Sequence, residues 1–200
     1  MLIPCEHIKA KGKPENTPLF THLSDVALVA EKIAQHCSLD STIAKYGAIL
    51  HDIGKCSSVF QQRLMAEETN KTIFRHEIAS SFFISVFEPH LRPMLIEMII
   101  GHHKSVKTPN DSKAKGILDL IENREDTFEL HSKDWEIWMP DAIKILNAFN
   151  LTTNNISIEL AEKNFNEVVA YCELSVKQQN YSVWRGLLIG ADHFSSALDK

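Results

Sequence analysis

The sequence has no CxxC pair; its four cysteines, Cys5, Cys37, Cys56 and Cys172, are scattered. That pattern fits reduced thiols in a cytoplasmic protein better than a disulfide framework. No apolar run reaches membrane-spanning length, and the opening "MLIPCEHIKAKGKPEN" lacks the long apolar stretch of a signal peptide. A soluble, cytoplasmic chain with no membrane partner is the expectation. Positive charge is also scarce: 21 Lys and Arg stand against 26 Asp and Glu, a net charge of −5. Such a chain does not grip nucleic acid by surface charge alone. A nucleic-acid substrate delivered by a partner, or held by bound cations, stays open. Strand alternation and hairpin dipeptides are nearly absent. The "GKC" at 54–56 is not a nucleotide P-loop, because Ile49 stands where the first glycine belongs and Cys56 replaces the Ser or Thr.

What is present is helical periodicity. Two hundred residues suffice for one domain with a real core. After a Lys-rich lead-in over 1–17, "PLFTHLSDVALVAEKIAQHC" places Leu23, Val26, Ala27, Ala30 and Ala34 at helical spacing. "LDSTIAKYGAILHDIG" repeats the pattern, with Asp40 or Ser41 as N-cap and Gly54 as stop. Further helices are expected in "SSVFQQRLMAEE", "HEIASSFFISVFE", "RPMLIEMIIGHHK", "ILDLIENRED", "WEIWMPDAIKILNAFN" with an irregularity at Pro140, "SIELAEKNFNEVVAYCELSVKQQ" and "SVWRGLLIGADHFSSAL". "SVKTPNDSKAKG" reads as an exposed loop. One all-α helical bundle over residues 1–200 is the predicted fold.

Ten histidines occur, and a single histidine is more often a surface or structural residue than a ligand. Some sit differently. His51-Asp52 and His102-His103 each close a strongly apolar helix, "AILHD" and "MIIGHH", and Asp192 follows "LLIGA" in the same manner. Buried, unpaired titratable groups are costly, and a divalent cation held by mixed nitrogen and oxygen ligands offsets that cost. Neighbours on a helix point about 100° apart, so one doublet does not pinch a metal alone. It can serve two ions, or supply one ligand and its support.

"HD" after an apolar helix, with an earlier His22, a later His76, the pair His102-His103 and a late Asp192, resembles the HD-domain metal-dependent phosphohydrolase superfamily. More narrowly, "THLSDVA", "LHDIGKCSSVFQQRL", "RHEIASSFF" before "GHHK", and "GADHFSSA" look like the HD nuclease domain of the CRISPR type I helicase-nuclease. The resemblance runs from about His22 to Ser196. It implies two divalent ions (Mn, Mg, Co, Ni or Fe), one held by His22, His51, Asp52 and Asp192. The other is held by Asp52, His76, His102 and His103, with Asp52 bridging. It further implies endo- and exonucleolytic cleavage of single-stranded DNA by metal-activated water attack on phosphorus. Asp52 and Lys55 are the catalytic candidates, and a helicase domain or subunit and a CRISPR effector complex are the implied partners. The ATPase motor often fused to such domains is missing, so the chain reads as a stand-alone nuclease subunit or an excised domain.

Lys55 either contacts a phosphate oxygen as a point charge or is a solvated lysine beside a glycine stop. Ser195 and Ser196 read as surface-helix residues, with phosphate contact as the alternative. Lys104, Lys107, Lys113 and Lys115 form either a rim that steers DNA or a solvated loop. Trp135, Trp138 and Trp184 read as core rather than as base-stacking platforms. Three rival functions use the same residues: a phosphohydrolase acting on nucleotides or cyclic dinucleotides, a catalytically idle docking module, and an iron-dependent oxygenase. Products, metal titration and iron content respectively separate them.

Overall fold

The computed structural model describes residues 3–65, 74–103, 106, 116–121, 123–151, 156–178 and 182–198. Among them, all regular structure is helical, save an isolated bridge between Lys9 and Pro18. The helices are α1 (Leu19–His36), α2 (Ser41–Leu50), α3 (Ser58–Met65), α4 (His76–Ser81) and α5 (Arg92–Gly101), then α6 (Ile117–Leu120), α7 (Arg124–Ser132), α8 (Trp135–Ala148), α9 (Ile158–Gln178) and α10 (Val183–Leu198). Short 3-10 turns cover Ile53–Cys56 and Ile84–Val86. No described helix is long and apolar enough to cross a membrane.

Helix α1 buries Leu19, Leu23, Val26, Ala27, Ala30 and Ala34, and the alanines on that stripe let α2 and α10 pack closely against it. His22 is the one polar residue on the stripe. The Asp40 carboxylate caps α2 by accepting from the Thr42 and Ile43 N–H groups at 2.8 and 3.2 Å. Helix α2 then lies against α5 and α10 as well. The α2–α5 approach uses Gly47, where a Cβ would fall 2.2 Å from Met98 Sδ. Trp135 and Trp138 are core residues and Trp184 packs against the core from its edge. The four cysteines are free thiols.

Several expectations change. "HEIASSFFISVFE" is not one helix: α4 ends at Ser81 and a 3-10 turn follows at Ile84–Val86. The run Phe82, Phe83, Ile84 is fully buried, and its packing overrides helical continuation. "ILDLIENRED" likewise splits, because Asn123 caps a new helix, accepting from the Glu125 N–H at 2.9 Å. Pro140 leaves α8 unbroken. It is exposed, so the carbonyl that loses a partner is on the solvated side. Lys104, Lys107, Lys113 and Lys115 lie outside the described residues.

Candidate metal centre

Helices α2 and α5 both end at one place, and their last residues carry histidines turned the same way. His51 caps α2 and its Nδ1–H donates to Ala48 O at 2.6 Å. His102 caps α5 and its Nδ1–H donates to Ile99 O, also at 2.6 Å. A carbonyl can only accept, so each ring is fixed with its proton on Nδ1 and a lone pair on Nε2. Two helix C-termini also direct partial negative charge at this spot, which favours a cation.

Asp52 sits between these groups, beyond the end of α2. Its Oδ2 lies 3.0 Å from His22 Nε2, 3.3 Å from His51 Nε2 and 2.6 Å from Lys55 Nζ. Its Oδ1 faces the other way, 2.8 Å from His76 Nε2 and 3.5 Å from His102 Nε2. Asp192 Oδ1 joins the first side, 3.5 Å from His22 Nε2. His103 joins the second, its ring centroid 4.1 Å from that of His102 and 5.1 Å from that of His76. Potential ligand atoms thus gather into two groups, Asp52–His76–His102–His103 and His22–His51–Asp192, each with members within 4.8 Å of one another. Asp52 Oδ2 touches the second group as well.

The seven sequence candidates are therefore brought together, but by a different local geometry than helical spacing suggests. Asp52 and His103 both follow a helix end, so the 100° separation of helical neighbours does not govern either doublet. Asp192 is not at a helix end: α10 runs on to Leu198, and the residue reaches the site because α10 packs across α1 and α2. Ser195, one turn further, is buried rather than on the surface.

Gly54 is not the stop of α2 either. Helix α2 ends at Leu50, and the chain continues through the 3-10 turn Ile53–Cys56. A Cβ on Gly54 would lie 2.2 Å from His76 O and 2.6 Å from Ser80 N. The missing side chain lets α4 come close enough for His76 to meet Asp52. The Ser80 hydroxyl fastens this contact, donating to His51 O at 2.8 Å and accepting from Gly54 N–H at 2.9 Å. The same 3-10 turn folds Lys55 back onto Asp52. Lys55 is only 12% exposed, so it is not a solvated lysine; its ammonium also reaches Ala10 O at 3.4 Å and lies over the Phe60 ring.

Burial pushes the Asp52 carboxyl up, yet His51, Lys55 and His76 together hold it well below the usual carboxylate range. Burial lowers His76 below the ordinary imidazole value, and burial with the neighbouring His102 and His76 lowers His103 to about 4. His51 goes the other way: burial pulls it down, but the adjacent Asp52 carboxylate raises it above the ordinary imidazole value. An ionised carboxylate beside the depressed His76 and His103 suits a divalent cation, and a cation at His51 would displace its proton. The donor set fits such an ion on a further ground. His51 Nε2 and Asp52 Oδ1 are buried without a hydrogen bond, an arrangement expensive to keep unless something accepts those lone pairs. Mixed imidazole and carboxylate donors suit first-row ions and Mg²⁺.

Residues without a visible sequence signal also shape the site. Arg75 N–H donates to His131 Nε2 at 3.0 Å, and His131 Nδ1–H donates to Thr127 O at 2.7 Å. His131 is thus a satisfied structural histidine. Glu77 is fully buried and ion-paired with Arg75; only its place directly after His76 marks it in the sequence.

The chain has no significant match among curated proteins or among solved structures. Residues 19–137, more than half of the chain, match the HD domain family. That span contains His22, His51, Asp52, His76, His102 and His103, while Asp192 is joined to them by geometry alone. The chain accordingly belongs to the HD domain family, the metal-dependent phosphohydrolases.

Proposed function

We propose that the protein is a two-metal phosphodiesterase that cleaves single-stranded DNA in CRISPR interference. The observation that carries the proposal is the division of the Asp52 carboxylate. Its Oδ2 turns toward His22 and His51, and its Oδ1 toward His76 and His102. One buried carboxylate placed between two ligand groups is the arrangement that bridges a pair of ions. His22, His51 and Asp192 would hold one ion with Asp52, and His76, His102 and His103 the other. When bound, such cations supply the Lewis acidity that activates water and neutralises charge on a phosphodiester. Because α10 contributes Asp192 from beyond residue 137, the working unit in this reading is one domain spanning residues 1–200.

The chain's own residues set the remaining steps. Asp52 and the fixed tautomers of His51 and His102 preorganise the donors, so little rearrangement accompanies binding. Lys55 lies beside Asp52 Oδ2 with three N–H donors to share. In this reading its ammonium would contact a non-bridging phosphate oxygen as a point charge. His103 is exposed while His51 and Asp52 are buried, so substrate approaches from the His103 side. The acidic net charge favours a partner, a helicase and an effector complex in this reading, that delivers the strand.

Incubating the protein with labelled linear and circular single-stranded DNA across Mn²⁺, Mg²⁺, Co²⁺, Ni²⁺ and Fe²⁺ tests this. Cutting of circular DNA, lost in Asp52→Ala, is the expected result. Release of phosphate or nucleoside from nucleotides, with DNA left intact, would instead favour the nucleotide phosphohydrolase reading. An Asp52→Ala protein with full nuclease activity would contradict the assignment.

A further inference from the structure

Glu77 follows His76 at the start of α4 and is fully buried. Its Oε1 is held by the Arg75 guanidinium. Its Oε2 is buried without a hydrogen bond and lies 3.7 Å from His76 Nδ1. A carboxylate oxygen left without a donor in the core is costly, so its direction is informative.

Three of the histidines beside Asp52, namely His51, His76 and His102, differ in the surroundings of their Nδ1 atoms. His51 and His102 end helices, and each turns Nδ1–H back onto the carbonyl three residues earlier. His76 begins a helix, and the residue before it is extended, with φ −121° and ψ 107°. Beside the His76 Nδ1, at 3.7 Å, lies a carboxylate oxygen, Glu77 Oε2.

We propose that Glu77 is a positioning residue for His76: its free oxygen accepts the Nδ1 proton, so that Nε2 keeps a lone pair aimed at the cation shared with Asp52, His102 and His103. This rests on the reading of the site as a metal centre. A carboxylate behind a ligand histidine fixes its orientation and raises its basicity, and losing such a partner typically costs about 10–100-fold in metal affinity. The effect belongs to one of the two ions, because Glu77 stands behind His76 alone.

Glu77→Gln separates this role from simple packing. Arg75 selects the amide oxygen, which leaves the amide N–H₂ facing His76 Nδ1 and favours the wrong tautomer. Calorimetric titration of the full chain with Mn²⁺ reads the result, with circular dichroism and thermal melting to report the fold. The wild type is expected to bind in two steps, and Glu77→Gln to weaken one step about 10–100-fold while the other is unchanged. The double variant Arg75→Gln/Glu77→Gln removes the buried ion pair together and shows the same selective loss, should the single variant fold poorly. Equal binding by wild type and a folded variant overturns the role of Glu77 and leaves the metal reading intact. A uniform loss in both steps also overturns it. A wild type that binds no Mn²⁺ overturns the metal reading itself, and the role of Glu77 with it.

Discussion

Two aspartates in this molecule carry nearly the same set of partners. Asp52 has Lys55 Nζ three residues on at 2.6 Å and His22 Nε2 at 3.0 Å. Asp141 has Lys144 Nζ three residues on at 3.1 Å and His7 Nε2 at 2.9 Å. The difference is where the partners stand. Lys144 and His7 are 66% and 67% exposed, whereas Lys55 and His22 are 12% and 2% exposed. Asp141 also accepts from the Cys5 thiol at 3.4 Å and leaves no buried atom unpaired, while Asp52 Oδ1 and the neighbouring His51 Nε2 have no hydrogen bond. Both carboxyls are depressed in spite of burial, Asp141 by hydrogen bonds from Lys144, His7 and Cys5. A histidine, a lysine and an aspartate do not by themselves make a site. Burial with lone pairs left unfilled does.

The largest effect that tests this contrast is expected from Asp52→Ala. Removing the shared carboxylate should lower cleavage by on the order of 10³-fold or more, several kcal/mol of lost metal-dependent stabilisation. Circular dichroism should show the helices retained. Next comes His131, which shares the Nδ1-to-carbonyl lock of His51 but has its Nε2 filled by Arg75 N–H. Burial holds it neutral, with a pKa of about 4 against the usual 6.5. The unfolded chain takes up this proton near pH 6.5 and the folded chain only near pH 4. Its contribution is therefore complete above pH 6.5 and lost as pH falls toward 4, by about 3 kcal/mol in all. Urea unfolding at pH 7 and pH 4.5 should show His131→Phe losing this part of the wild-type pH dependence, with metal binding kept.

Gly54→Ala sharpens the comparison from the packing side. The added methyl would meet backbone atoms of His76 and Ser80, which cannot rotate away. A destabilisation of about 1–3 kcal/mol in thermal unfolding is expected, together with reduced activity because His76 moves off Asp52. The smallest effect is expected from Asp141→Asn. Its pairs with His7 and Lys144 are solvated, so stability should change by about 1 kcal/mol or less, and metal uptake should not change at all.

The long helices were legible because each buries one regular stripe, as α1 does from Leu19 to Ala34. His51, Asp52, His102, His103 and Asp192 were legible because each closes or follows an apolar segment, whereas His22 and His76 were legible only through the resemblance to the HD family. What local pattern does not carry is contact between distant segments. Gly54 reads as a helix stop, yet its role is to admit the backbone of residues more than twenty positions away. Lys55 reads equally as solvent-facing until the 3-10 turn folds it onto Asp52. The break after Ser81 follows from tertiary burial of Phe82, Phe83 and Ile84, and Ser195 is covered by packing that no local run announces. Glu77 is silent in the sequence because its meaning depends on which way one carboxylate oxygen points.

The central claim is that Asp52 joins two cation sites, and electron paramagnetic resonance of the protein loaded with Mn²⁺ tests it most directly. Two ions sharing the Asp52 carboxylate should give a spin-coupled signal that disappears in Asp52→Ala and persists in Asp141→Asn. A wild-type spectrum of isolated ions only, or coupling that survives the loss of Asp52, would contradict it.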